Sequence, residues 1–206
     1  MINALAEAVG RPVSHETYEL LERYVGILRE EAVRQNLIAA STIHNLWDRH
    51  ILDSAQLVRF GPHPGASWVD IGAGAGLPGV VIATLIEGPV LLVEPRRLRV
   101  EFLQRVTAEL GLANRVSVFA AKAERATGQF DVITARAVAP LDQLLDLSTH
   151  LSTKNTVWVL PRGRSARSEL DDARRSWHCE AQSVPSRTDP DSEILVLRDV
   201  RAKGKR

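Results

Sequence analysis

The stretch Trp68-Val69-Asp70-Ile71-Gly72-Ala73-Gly74-Ala75-Gly76-Leu77-Pro78-Gly79 decides how this chain is read. It has the pattern of a short buried strand that ends near an acidic residue, Asp70, runs into a glycine-rich turn and then enters a helix. Glycine at positions 72, 74 and 76 removes the Cβ atoms that would hold a ligand off the backbone and permits positive φ in the turn. Backbone amides are then free to face a nucleotide-like ligand. As a dinucleotide fingerprint the turn falls short: Gly-x-Gly-x-x-Gly needs glycine where Leu77 stands, and there is no second domain for a hydride acceptor.

Downstream of the turn the pattern alternates between strand and helix periods. This predicts an α/β fold: a Rossmann-like, mostly parallel sheet of seven strands with helices on both faces and a late antiparallel pair. Strands are expected over 67–71, 90–94, 116–120, 130–135, 155–160, 180–184 and 194–199. Helices are expected over about 77–86, 96–111, near Lys122, 141–150 and 165–177, with Gly111 as a C-terminal helix glycine. Upstream the pattern is helical only. Tyr18, Leu21, Val25 and Leu28 recur at three- and four-residue spacing, so a helix runs from its N-cap Ser14 to about Arg34. A second runs from Thr42 or Asn45 to Phe60, where Gly61-Pro62-His63-Pro64-Gly65 forms a linker. The expected division is an N-terminal helical cap, residues 1–65, and one compact unit, residues 66–206.

A second acidic residue, Glu94, closes the next strand, where a carboxylate can accept ribose hydroxyls. A third, Glu124, follows the third strand after Ala121-Lys122-Ala123, where backbone and side chain can meet an adenine edge. Loops at the carboxyl ends of these three strands are expected to converge on one crevice, as ligand sites in open parallel sheets do. Together with Gly72, Gly74 and Gly76, the acidic residues Asp70, Glu94 and Glu124 point to an S-adenosylmethionine site. Taken alone, Glu94 remains an ordinary strand-end carboxylate.

With 206 residues, 45% apolar and 25% charged, the chain has the composition of a globular protein able to bury its own core. Its one cysteine, Cys179, excludes an internal disulfide framework and a cysteine-based metal site, so a reducing compartment, the cytoplasm, is expected. The N-terminus lacks the basic start and apolar run of a secretion signal, and no apolar stretch is long enough to span a bilayer. Net charge is only +1. Arginines nevertheless cluster at 96, 97, 99 and 105, and at 162, 164 and 167, and the end of the chain, 198–206, is basic. Such patches bind phosphates even when the total is neutral, although each alone also reads as a solvated face.

The run Leu46-Trp47-Asp48-Arg49-His50-Ile51-Leu52-Asp53-Ser54, then Asp70 to Val80, then Arg136-Ala137, resembles the RsmG (GidB) family over most of the chain. Generic methyltransferases share the turn but not the upstream Arg-His-Ile-Leu-Asp-Ser run. The resemblance implies an S-adenosylmethionine-dependent methyltransferase acting on N7 of a guanine in small-subunit (16S) ribosomal RNA. The expected partner is an assembled or partly assembled 30S particle, and a monomer is expected. Cofactor contacts are implied at Gly72 and Leu77, at Ala123 and Glu124, and at Arg136, with Glu94 at the ribose. The full set of cofactor positions is Asp70, Gly72, Gly74, Gly76, Leu77, Glu94, Ala123, Glu124 and Arg136. Arg136, Asn36 and His50 are the candidate catalytic positions, and Arg49, Arg99 and Arg162 the substrate positions. Asn36-Leu37 matches a pair that usually continues with Thr, where Ile38 stands here. Leu98-Arg99 stands where the family often has Lys-Arg, and Leu160-Pro161-Arg162-Gly163 replaces Leu-Lys-Gly, which keeps the charge with another donor pattern.

Guanine N7 has an in-plane lone pair and no proton near neutral pH, so its methylation needs no general base, covalent intermediate or metal, only positioning and electrostatics. His50 and Asp53, three apart on a helix, read as ties from the cap to the glycine turn rather than as a catalytic dyad. Arg136 can grip a carboxylate, a phosphate or guanine O6, or pair with Asp70 or Glu94. Arg49 reaches RNA or pairs with Asp48 or Asp53. Trp47, Trp68, Trp158 and Trp177 read as core. A basic rim of Arg49, Arg96, Arg136 and Arg162 favours RNA over two alternatives: a methyltransferase on another substrate, and a non-catalytic RNA-binding factor of the same fold.

Overall fold

Strand β1 (Trp68–Ile71) is buried along its whole length, as a strand covered on both faces must be. In the computed structural model, which describes residues 1–204, β1 lies between two parallel neighbours, β2 (Val90–Val93) and β4 (Val132–Ala135). Lys205 and Arg206 of the basic tail lie outside the described residues. β3 (Val116–Phe119) adds parallel beyond β2, and β5 (Val157–Arg162) parallel beyond β4. β7 (Glu193–Ala202) pairs antiparallel with β5, and β6 (Trp177–Pro185) antiparallel with β7, which gives the order β3-β2-β1-β4-β5-β7-β6. The seven strands and the late antiparallel pair are those expected.

Alternation along the strands feeds two cores. Trp68, Leu92, Val132 and Val157 face one layer, and Val69, Val93, Ile133 and Trp158 face the other. The helices that cover the sheet are α4 (Gly79–Leu85), α5 (Arg97–Glu109), α6 (Leu141–Ser148) and α7 (Ala166–Ala173). α5 ends, as expected, with Gly111 in the left-handed region (φ 69°). Trp68, Trp158 and Trp177 are buried, and Trp47 stacks on Tyr18 at 5.2 Å.

The cap contains more than the periodicity predicts. A short helix α1 (Ile2–Val9) precedes the expected one and buries Leu5, Ala8 and Val9 before ending on Gly10. α2 (His15–Ala32) begins at Ser14, whose Oγ accepts from the Thr17 amide at 3.2 Å. The expected second helix is irregular: a 3₁₀ turn over Ala40–Asn45, a π turn over Trp47–Leu52, α3 (Asp53–Ala55) and a further 3₁₀ turn over Gln56–Phe60. Leu46 and Ile51 are both buried although five residues apart, a spacing that a π turn carries to one face and an α-helix does not. Leu5, Tyr24, Leu28 and Ile51 pack into the same apolar cluster as Trp68, Val80 and Leu92, so the cap lies against one layer of the sheet.

Candidate active site

The turn after β1 holds Gly72, Gly74 and Gly76 at φ 68, 54 and 87°. At Gly76 a Cβ would stand 2.5 Å from Val80 Cγ2 and 3.1 Å from the Tyr24 hydroxyl, so the protein itself excludes a side chain. At Gly74 a Cβ would meet nothing closer than 3.6 Å, which leaves that face of the turn open. Asp70 is buried beneath the turn: its Oδ2 accepts from the Gly79 amide at 2.8 Å, and its Oδ1 has no partner. Burial pushes this carboxyl up to about 7, against the opposing pull of the Gly79 amide and of Arg136. Glu94, also buried, accepts from the Gly74 amide (2.9 Å) and the Arg96 amide (2.9 Å), so it fixes the turn to the end of β2. Arg99 Nη1 lies 3.9 Å from the same carboxylate.

The crevice beside the turn is lined by Gly72, Gly74, Leu77, Glu94, Arg99 and Arg136, among others, and by Leu37 from the cap. Its third wall therefore comes from the loop after β4, not from the loop after β3 as chain order suggests. Order in the chain is not order in the sheet: β1 neighbours β4, and the reversal opens the crevice there. Ala123 and Glu124 form the turn Ala123–Arg125 after β3, with Ala123 buried and Glu124 exposed, and neither lines the crevice. Asn36 is exposed next to Leu37.

Arg136 is held from the cap. Its Nη1 lies 3.2 Å from His50 Nδ1 and 3.6 Å from Asp53 Oδ2. A guanidinium only donates, so His50 Nδ1 is the acceptor and Nε2–H donates to Thr42 Oγ1 at 2.9 Å, which donates in turn to Ala39 O at 2.8 Å. Burial first, then Arg136 and Arg49, lowers the His50 pKa to about 4, so the ring is neutral at physiological pH and accepts rather than repels. Asp53 Oδ1 accepts from Gln56 Nε2 at 3.0 Å and from Thr188 Oγ1 at 2.8 Å. Buried Gln56 completes the tie by accepting the Arg187 amide at 2.9 Å.

Several expected contacts are thereby corrected. His50 and Asp53 tie the cap to Arg136 and to the β6–β7 return, not to the glycine turn. Arg136 pairs with Asp53 rather than with Asp70 or Glu94. Arg49 pairs with Asp189 at 3.0 Å, across 140 positions of sequence, and not with Asp48 or Asp53. Arg162 is no rim residue: it is buried, donates to Ala139 O at 2.8 Å and lies 3.3 Å from Glu169. Of the basic rim, Arg96 and Arg136 line the crevice, joined by Arg99.

The family described as rRNA small subunit methyltransferase G (GidB) matches residues 17–195 of this chain. The chain belongs to that family. The family match takes in the cap helix, the glycine turn, Arg136 and the β6–β7 return that together make the site. A ribosomal RNA small subunit methyltransferase G from Rhizorhabdus wittichii is 47% identical over 188 residues, covering 90% of this chain and 87% of that protein. One from Sphingopyxis alaskensis is 50% identical over 185 residues, covering 89% and 79%. Among solved structures, a SAM-dependent methyltransferase from Aquifex aeolicus superposes with a TM-score of 0.59 at 14% identity, covering 74% of this chain and 91% of that one, a likeness of fold.

The methyltransferase G family is S-adenosylmethionine-dependent, and the residues present suit that group. The open face at Gly74 admits a ligand against the backbone, and the carboxylate of Glu94 stands in the crevice wall. Among the described residues, no helix is long and apolar enough to cross a membrane. Tyr24 and Gln56, the two buried polar side chains that lock the turn and the cap, carry no sequence signal of that role.

Proposed function

We propose that this protein transfers the methyl group of S-adenosylmethionine to N7 of a guanine in small-subunit ribosomal RNA. Its partner is an assembled or partly assembled 30S particle in the cytoplasm, and it acts as a monomer. The observation that carries the reading is the crevice between the loops after β1, β2 and β4, with Arg136 held at its mouth, in a chain of the methyltransferase G family.

When bound, the cofactor supplies a methyl group on a sulfonium, and guanine N7 takes it without a base. The chain's task is therefore positioning. Gly72, Gly74, Leu77 and Glu94 meet the cofactor, and Asp70 and Gly76 shape the turn from beneath. Ala123 and Glu124, beside the crevice rather than in its lining, meet the adenine end of a cofactor that extends past it toward β3. Arg136 is the catalytic residue that meets the base. Because the purine gains positive charge as N7 takes the methyl group, the task of this guanidinium is to orient the ring by donating to it and not to stabilise that charge. His50, neutral and accepting, is a positioning residue for Arg136, and Asn36 sits beside the entry. Arg49 and Arg99 meet phosphates of the RNA, and Arg162 serves the substrate from within. Residues 1–65 act as the cap on the substrate side and residues 66–206 as the cofactor unit.

Mass spectrometry of small-subunit ribosomal RNA from cells lacking the gene tests the reading. One 7-methylguanosine is expected to be absent and to return with the wild-type gene. Unchanged RNA in the deletion strain, or methylation by the purified protein of a small metabolite and never of RNA, would overturn it.

A further inference from the structure

Beside the cofactor crevice lies a second cavity of about 260 Å³, and Arg136 and Ala137 line both. Its other walls include Asp53 of the cap, Arg162 at the end of β5, Glu169 of α7, and Ser192 and Glu193 at the start of β7. Five buried side-chain polar atoms among the described residues have no hydrogen-bond partner, and two of them, Arg162 Nε and Nη2, belong to this cavity's wall. A third, Glu169 Oε2, makes no hydrogen bond but is ion-paired with Arg162 Nη1 at 3.3 Å, and Glu169 Oε1 accepts from Ser165 Oγ at 2.6 Å. Buried polar groups are as a rule paired, so a cluster of orphans marks a place where partners come from outside the chain. Arg162 is anchored through Nη1, which donates to Ala139 O and faces Glu169 Oε2 at 3.3 Å, and this leaves Nε and Nη2 shielded from bulk water and unanswered.

The chemistry of the lining narrows the occupant. Two guanidinium groups, Arg136 and Arg162, face three carboxylates, and each carboxylate has a cationic partner: Asp53 with Arg136 at 3.6 Å, Glu169 with Arg162 at 3.3 Å and Glu193 with Arg167 at 3.4 Å. With its cations already paired the lining disfavours a phosphate and suits a neutral ring that both donates and accepts. Guanine presents adjacent N1–H and N2–H₂ donors, which one carboxylate accepts together, beside the O6 acceptor, which a guanidinium meets. Adenine lacks the paired donors. With that edge toward Glu169, N7 lies on the opposite side of the ring from α7.

We propose that this cavity is the pocket for the target guanine, extruded from its stack, with Glu169 accepting from N1–H and N2–H₂ and Arg162 donating to O6. This rests on the function proposed above. Glu169 and Arg162 are then base-recognition residues. The pocket sits across Arg136 from the glycine turn, so recognition and cofactor binding use different walls.

The test is methyl-transfer kinetics on 30S particles reconstituted with either guanine or inosine at the methylated position, inosine lacking the 2-amino group but keeping N7. Wild-type protein is compared with Glu169→Gln and with Ser192→Leu, which fills the cavity from its opposite side. Both variants are expected to bind S-adenosylmethionine within about twofold of wild type and to transfer methyl to guanine at least about tenfold more slowly. Inosine is expected to cost the wild type at least about tenfold and to add little to the loss already caused by Glu169→Gln. Normal transfer by both variants, or equal rates on guanine and inosine by the wild type, would overturn the pocket while leaving the methyltransferase reading intact. Loss of cofactor binding in both variants would place their defect in the crevice and also overturn it. No transfer by the wild type to any particle would remove the functional reading and the pocket with it.

Discussion

The hydroxyl of Tyr24 donates to the carbonyl oxygen of Ala75 at 2.7 Å, so the cap helix α2 grips the glycine turn from behind. Tyr24 is fully buried, and burial drives its phenol well above the usual range, so it remains a donor at any working pH. Tyr24→Phe keeps the packing and leaves Ala75 O without this donor. A lost buried hydrogen bond of this kind costs about 1 kcal/mol. The expected outcome is cofactor affinity weakened by about fivefold in calorimetry, with a thermal midpoint lowered by a few degrees. Equal affinity in the variant would show that the turn is set without the cap.

Gly74 and Gly76 predict opposite failures. A Cβ at Gly76 would clash at 2.5 Å with Val80, so Gly76→Ala is expected to destabilise the fold itself. Gly74 faces open space, so Gly74→Val carries mainly the left-handed backbone penalty, about 1–2 kcal/mol, and blocks the ligand. Calorimetry on Gly74→Val should detect no S-adenosylmethionine binding to a protein that still melts cooperatively. Binding equal to wild type would remove the cofactor site from this turn.

Asp70 sets a pH dependence with a definite sign. Its carboxyl titrates at about 7 in the folded protein against 3.8 when unfolded, so between these values the folded state holds the extra proton. Stability from this group therefore falls as pH rises from 3.8 to about 7 and stays low above that. The cost at pH 8 is on the order of 4 kcal/mol. Asp70→Asn, which keeps an oxygen for the Gly79 amide, should raise the thermal midpoint more at pH 8 than at pH 5. A larger gain at pH 5 would reverse the assignment.

Arg49 separates stability from RNA contact. Its pair with Asp189 is largely exposed, and such pairs contribute less than about 1 kcal/mol. Arg49→Ala should leave the melting curve nearly unchanged while weakening association with 30S particles and lowering the salt slope by about 1. An unchanged slope would reduce Arg49 to a tie between the cap and the β6–β7 return.

The sheet was legible because buried parallel strands advertise themselves locally, as in Trp68–Ile71 and Val90–Val93, and because glycine at 72, 74 and 76 permits few other readings. α1 escaped notice because eight residues carry only two turns of periodicity. The π turn at Trp47–Leu52 blurs the helical period where His50 and Asp53 stand. Their partners lie far off in sequence: His50 meets Arg136 across 86 positions and Asp53 meets Thr188 across 135. Side-chain hydrogen bonds of that span leave no periodic trace. The substitution of β4 for β3 as the third wall has the same root, since periodicity finds strands but does not order them.

Arg136 and Ala137 belong to the lining of both cavities, and one guanidinium therefore stands as a common partition between them. A molecule that displaces or fixes that side chain from one side alters the wall met from the other. Thermodynamic reciprocity then requires that whatever factor the first occupant adds to the affinity for the second, the second returns to the first. Because His50 restrains the partition from the cap and lines neither cavity, a substitution there is expected to change the size of that mutual factor without touching either occupant.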